Sequence, residues 1–130
     1  MEITVKNLFK RISPRKVRPS LYGLKDMVAT KAADITKFGS KKADRLVNEL
    51  ILSGLAACKE QYLDIETVTI KSISCNEGPR LKRSIPWSKG VSRRIVHRLA
   101  HLILVLSAEE AVKPVKAAAS KEIPKTTKEK

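Results

Sequence analysis

Two segments of the chain are rich in Lys and Arg and contain no acidic residue. Residues 80–98 carry seven basic side chains, and residues 10–25 carry six. Guanidinium and ammonium groups bind phosphate oxygens, and Arg does so through two parallel hydrogen bonds. The chemistry that this pattern predicts is the binding of a polyanion.

The distribution of charge indicates a localised binding surface. The 130 residues have a formal net charge of +14, and the two segments hold thirteen of these charges. An excess confined to two segments is typical of a nucleic-acid footprint. A merely solvated charged face is the alternative interpretation. Binding to an anionic membrane is a lesser one, because no basic amphipathic helix is present.

Motifs for catalysis or metal binding do not accompany the basic segments. The sequence has no Gly-rich phosphate loop, nucleophile elbow or His-Glu metal motif, so we predict no enzyme, no cofactor and no small-molecule substrate. His97 and His101 are expected on one face of a strand, about 13 Å apart, which is too far for a shared metal ion. Cys58 and Cys75 predict reduced core thiols rather than a disulfide or a zinc site.

The sequence also carries expectations about location. Residues 1–10 lack the apolar stretch of a secretory signal. No apolar run reaches the ~18 to 20 residues of a membrane span. We therefore expect a cytoplasmic protein that is not bound to a membrane.

The chain length predicts a single domain, and apolar periodicity places its helices and strands within residues 1–107. A first strand is expected at 2–10. Ser13-Pro14 is a typical helix start, and Pro19 should kink or shorten that helix. A second short helix is expected at about 27–37.

The second helix should bury Val28, Ala32 and Ile35 and end at Gly39. The third and longest helix should begin with Ser40 as its N-cap and run to about Tyr62. Its apolar stripe follows the helical repeat. The stripe comprises Ala43, Leu46, Val47, Leu50, Ile51, Gly54, Leu55 and Cys58. Gly54 indicates either the close approach of another element or a weak point in the helix.

Two further strands are expected at about 65–76 and 93–107. A change of apolar phase between Ile70 and Ile73 predicts a bulge or a change of buried face. The last strand is apolar on both faces, which suits the middle of a small sheet. Residues 108–130 are low in complexity and predict a flexible basic tail.

The segment between these strands, at about 73–98, predicts a protruding hairpin with its turn near Ser88-Lys89. Arg83 and Arg94 are expected close together across the ladder, where like charges cost stability. An isolated ribbon is marginal in water, and this one is expected to lack an apolar face. Its stabilising partner should therefore be a polyanion outside the chain.

Four motifs, taken together and in order, resemble those of a known family. They are ISPRKVR at 12–18, the helix start SKKADRLV, NEGPRLKR at 76–83, and the closing SRRIVHRLAHLILVLS. From residue 12 to residue 107 the chain is similar to the bacterial-type ribosomal large-subunit protein L twenty-two family. The resemblance implies an α+β fold, with three helices packed on a small three-stranded antiparallel sheet and a long protruding hairpin.

The resemblance also implies a function. Members are structural constituents of the large ribosomal subunit in the cytoplasm, bind large-subunit ribosomal RNA beside neighbouring ribosomal proteins, and support subunit assembly. Their hairpin tip lines the polypeptide exit tunnel, where it meets the nascent polypeptide. A free-standing regulatory or chaperone-type RNA-binding module is the alternative.

The matching motifs and the basic segments together give the candidate RNA-binding residues. These are Arg11, Arg15, Lys16, Arg18, Arg80, Lys82, Arg83, Trp87, Lys89, Arg93, Arg94 and Arg98. Trp87 and Val91 stand where the family often has Arg, so the tip is less charged than the resemblance implies. Trp87 is expected either to stack on a nucleobase or to cover the hairpin turn.

Overall fold

The computed structural model describes residues 1–61 and 63–108. Within them the chain forms three helices and a three-stranded sheet, which confirms the predicted α+β class. The elements are β1 (Glu2–Lys10), α1 (Pro14–Leu21), α2 (Ala29–Lys37), α3 (Lys42–Glu60), β2 (Thr69–Pro86), a short 3-10 turn (Ser88–Gly90) and β3 (Ser92–Ser107). Apart from Ala108, the predicted tail lies outside the described residues.

The sheet is antiparallel in the order β1-β3-β2. The expectation that the last strand lies in the middle of the sheet is therefore confirmed. Along β3, Leu102, Leu104 and Leu106 are fully buried, because alternate residues of a strand point to the same face. The helices cover that face, and the core lies between them and the sheet.

The register of β2 against β3 shifts twice. The first shift falls between Ile70 and Ser72, so the bulge, one of the two predicted alternatives, is confirmed. The second falls between Glu77 and Arg80. There, a Cβ added to Gly78 would lie 3.1 Å from the backbone of Leu99, so Gly78 allows the two strands to approach.

The third helix begins one residue later than expected. Lys41 is the N-cap, and its backbone N–H donates to Asp44 Oδ2 at 3.1 Å. The prediction of Ser40 as the cap was wrong, because this carboxylate in the first turn satisfies the N–H of Lys41 instead. The buried stripe from Ala43 to Cys58 follows the predicted helical repeat.

The two short helices agree with prediction in position but not entirely in orientation. Ser13 and Pro14 begin α1, which contains Pro19 and is only eight residues long. The predicted buried face of α2 was correct for Ala32 and wrong for Ile35, which is 56% exposed, while Val28 is the N-cap. The residues that α2 buries are Ala29, Ala32, Ala33 and Thr36. Their small side chains let α2 lie close to α3.

Gly54 marks a close approach between α3 and β3. A Cβ at this position would lie 2.7 Å from Leu106 Cδ1 and 3.2 Å from Leu104 Cδ2. Both leucines are fully buried. The close-approach interpretation of this glycine is therefore correct.

Replacing Gly54 with Val should destabilise the protein by about 1 to 3 kcal/mol, because the added methyl groups overpack the contact with Leu106. Urea denaturation measures the change. The matched control is Ser53→Val, which places the same side chain on the exposed side of α3 and should change stability by less than about 1 kcal/mol. Equal midpoints for the two variants would contradict a tight contact.

Candidate nucleic-acid interface

The two basic segments of the sequence meet in one groove at the base of the hairpin. The groove has a volume of about 520 Å³. Its lining residues are Arg11, Ile12, Ser13, Lys16, Lys42, Val96, His97 and Arg98. They come from the β1–α1 connection, the first turns of α1 and α3, and the return arm of the hairpin, so the fold joins segments that are distant in sequence.

The groove is positively charged. Its cations are Arg11, Lys16, Lys42 and Arg98, and none of the described residues that line it is acidic. The ion pairs found in residues 1–61 and 63–108 are Lys10–Glu49, Lys25–Asp26, Lys71–Glu2 and Arg80–Glu77. The groove cations take part in none of these pairs and are available for an external anion.

The hairpin beyond the groove has two unlike faces. Arg80–Pro86 pairs with Ser92–Arg98 in unbroken register, so alternate residues define each face. The cationic face carries Arg80, Lys82, Ser84, Arg94, Val96 and Arg98. The opposite face is mixed: it carries Leu81, Ile85 and Ile95 together with Arg83, Arg93 and His97. Because the apolar side chains share this face with cations and Ile85 is 44% exposed, the ribbon has no wholly apolar face, in agreement with the expectation.

The predicted pairing of Arg83 with Arg94 was wrong. Arg83 lies opposite Ile95, and Arg94 lies opposite Ser84, so the two arginines point to opposite faces. The second bulge in β2 accounts for this difference, because one extra residue changes the face of every residue that follows it. The like-charged pair that does form is Arg80 opposite Arg98.

Glu77 lies at the centre of the positive charge at the hairpin base. Its Oε2 accepts a hydrogen bond of 2.9 Å from Arg80 Nη2. This bond and the charge of Arg80, with smaller contributions from Arg98 and Arg18, hold the pKa of Glu77 below its ordinary value. The only acid of the hairpin segment thus offsets the repulsion between Arg80 and Arg98.

The middle and tip of the hairpin extend the charged surface. Lys82, Arg83, Ser84, Ser92 and Arg94 line a second, shallow groove. At the tip, the guanidinium carbon of Arg93 lies 5.2 Å from the centre of the Trp87 ring. This is a cation–π contact. The ring stays 59% exposed, so it contacts Arg93 and still presents surface to solvent.

The turn itself relies on two residues with positive φ. They are Lys89 at 56° and Gly90 at 72°. The backbone N–H of Trp87 donates to the carbonyl of Val91 at 2.8 Å and closes the loop. Lys89 therefore stands at the outermost point of the hairpin, as the predicted turn required.

All twelve predicted RNA-binding side chains are exposed, but the fold distributes them unevenly. Arg11, Lys16 and Arg98 come together in the groove, and Arg18 joins Arg80 and Arg98 around Glu77. Another four lie along the hairpin arms: Lys82, Arg83, Arg93 and Arg94. Lys89 and Trp87 are at the tip, while Arg15 lies on α1 outside the groove lining.

Lys42 is a groove residue that our sequence interpretation missed. It is the first residue of α3, where the helix dipole disfavours a cation. Two adjacent lysines, Lys41 and Lys42, at the start of a helix therefore indicate a binding role and not a contribution to helix stability. This pattern could have identified Lys42 from the sequence.

Within residues 1–61 and 63–108, the histidines and cysteines form no site of another kind. Both Cys58 and Cys75 are buried free thiols, and burial raises the pKa of each. In the part of the chain that the structure describes, no three His, Cys, Asp or Glu residues are placed to hold a metal ion. Among the same residues, no helix has the length and hydrophobicity required to cross a membrane.

A comparison with known families decides the assignment. The model of the family described as ribosomal protein L22p/L17e matches residues 5–107. The chain belongs to this family. The match extends from β1 to the last residue of β3 and includes every residue of the groove and hairpin.

Membership in the L22p/L17e family makes the protein a structural constituent of the large ribosomal subunit. It implies ribosomal RNA and other ribosomal proteins as partners, and a location in the cytoplasm with the ribosome. The predicted family is thus confirmed. Because the family description covers L22p and L17e together, the bacterial type is not distinguished.

The pKa of Glu77 predicts how pH acts on the hairpin base. Because this pKa is lower in the folded protein than in the unfolded chain, the ion pair stabilises the fold above the ordinary value of 4.5. That stabilisation is lost as pH falls through the folded-state pKa. Glu77→Gln should therefore have a lower thermal midpoint than the natural protein at pH 7, and the difference should disappear once the pH is below the folded-state pKa of Glu77.

Calorimetric scans of both proteins between pH 2.5 and 7 measure this effect, and Glu66→Gln is the control, since Glu66 forms none of the ion pairs found here. A constant difference between natural protein and Glu77→Gln across this range would contradict a role for the carboxylate charge.

Proposed function

We propose that the protein binds large-subunit ribosomal RNA through one continuous cationic surface, formed by the groove and the cationic face of the hairpin. The observation that carries this proposal is the position of Arg98, which lines the groove and also belongs to the cationic face. RNA backbone entering the groove at Arg11 and Lys16 would continue along the hairpin toward Lys82 and Arg94. Successive phosphates of one RNA strand could then bind successive cations along this surface.

Electrostatics favours RNA as the occupant. Like charges face each other at Arg80 and Arg98, and the groove cations have no carboxylate among the described lining residues. Phosphates bound between these cations would replace repulsion with attraction and release counterions. The same interaction gives the protein a role in subunit assembly, because it holds together the RNA segments that reach the groove and the hairpin.

The hairpin tip is proposed to line the polypeptide exit tunnel and to meet the nascent chain there. The outgoing arm from Arg80 to Pro86 spans roughly 23 Å at ~3.3 Å per residue, and its residues are exposed throughout. Such a ribbon would extend beyond the globular body of the protein. The exposed side chains Trp87 and Val91 would then form part of the tunnel wall.

RNA binding should depend steeply on salt. If six to ten phosphates are contacted, affinity for a large-subunit ribosomal RNA transcript should fall roughly 10³- to 10⁵-fold between 50 and 200 mM salt. Lys42→Gln removes one groove cation and should reduce the slope of log K against log salt by about one. Filter binding over this range measures both quantities.

The matched control is Lys59→Gln, at the other end of the same helix and about 25 Å from Lys42 at ~1.5 Å per residue. It makes the same change of charge and should leave the slope unaltered. Equal slopes for the two variants would mean that net charge, and not the groove, governs binding. A flat salt response of the natural protein would exclude the electrostatic mechanism.

The position of the tip can be tested by photo-crosslinking in the ribosome. A benzophenone amino acid in place of Val91 should crosslink to a stalled nascent chain of defined length, because this residue is expected at the tunnel wall. The same group in place of Phe38, an exposed residue of the body, should not. Subunits that incorporate both proteins but crosslink neither to the nascent chain would contradict the proposed tunnel contact.

A further inference from the structure

Phe9 has an unusual backbone conformation in β1. Its φ is 56°, in the left-handed region that residues with a bulky side chain rarely adopt. The conformation belongs to a bulge, since the register of β1 against β3 shifts between Asn7 and Lys10. A bulge of this kind redirects the side chains of the extra residues.

His101 fixes the bulge from the neighbouring strand. The backbone N–H of Phe9 donates to His101 Nδ1 at 3.0 Å, which leaves the proton of a neutral imidazole on Nε2. The two rings meet at 90°, with their centres 4.8 Å apart. This edge contact leaves at least one face of the phenyl ring clear of the imidazole. The ring is therefore held in a defined direction.

Burial does not compensate for this strain. Phe9 is 60% exposed, so the strained conformation places an aromatic ring in solvent and not in the core. Strained residues that persist without a packing benefit are concentrated at functional sites. The conformation indicates that the exposed ring itself has a use.

We propose that Phe9 is a stacking platform for an unpaired nucleobase of the bound RNA; this inference rests on the proposed RNA-binding function. The surroundings favour a nucleotide over an apolar protein segment. Lys10 and Arg11 follow directly in the chain, and Arg11 lines the groove. A base on the ring with its phosphate at Arg11 matches the usual pairing of aromatic and cationic contacts to single-stranded RNA.

The test compares Phe9→Gly with Phe9→Tyr in binding to the large-subunit ribosomal RNA transcript. Gly adopts positive φ without strain, so Phe9→Gly should fold with a thermal midpoint close to that of the natural protein. Its affinity should fall about five- to 150-fold, the value of one stacked base. The loss should be equal at every salt concentration, because no charge is removed. Phe9→Tyr should retain the affinity of the natural protein.

Two control variants separate stacking from general apolar contact. Leu8→Ala shortens the other exposed apolar side chain of the bulge, and Phe38→Ala removes an aromatic ring that is 85% exposed outside both basic segments. Neither should change the affinity for the transcript. A loss in Leu8→Ala equal to that in Phe9→Gly would contradict specific stacking.

Ultraviolet crosslinking provides a second, direct measurement. Irradiation of the complex at 254 nm should attach a nucleotide to Phe9, and trypsin should release it on the peptide of residues 7–10. If the natural protein binds the transcript with steep salt dependence but Phe9→Gly binds equally well and no adduct forms, the inference is wrong while the proposed function stands. If the natural protein does not bind, both are wrong.

Discussion

Repulsion between cations on a two-stranded ribbon is the constraint around which this molecule is organised. Arg80 and Arg98 face each other where the ribbon leaves the body, and Glu77 lies between their charges with Arg18 nearby. One carboxylate cannot neutralise three guanidinium groups. The hairpin base therefore keeps a surplus of positive charge that the protein itself does not compensate, and an external polyanion lowers the free energy of the whole arrangement.

The body can carry this surplus because its own core is independent of the hairpin. Buried leucines of β3 pack against α3 over one end of the strand, and the charged residues occupy the other end. Alternate residues of β3 point to the same face of the sheet. The face that the helices cover in the body is therefore the same face that carries the cations in the hairpin. The basic residues of α1 and α3 then lie beside the same face, so the fold itself produces the continuity of charge.

The sequence alone predicted the elements that have strong periodicity and missed features that depend on single residues. The stripe of α3 and the central position of β3 follow from patterns many residues long. The buried face of α2 did not, because small side chains and not the larger Ile35 meet α3. The facing of Arg83 depended on a bulge at Gly78, and Phe9 lies in another bulge. An extra residue in a strand moves every following side chain to the other face of the sheet, but it hardly changes the amino-acid composition of the strand.

The uninterrupted course of β3 has a mechanical consequence. Both bulges of the β2–β3 ladder lie in β2, so β3 runs from Ser92 at the tip to Ser107 in the body as a single strand without a hinge. A pull on the tip along the direction of β3 would be carried as tension through this strand to the leucines that pack in the core. The packing of the core, and not a flexible joint at the hairpin base, would then resist such a displacement of the tip.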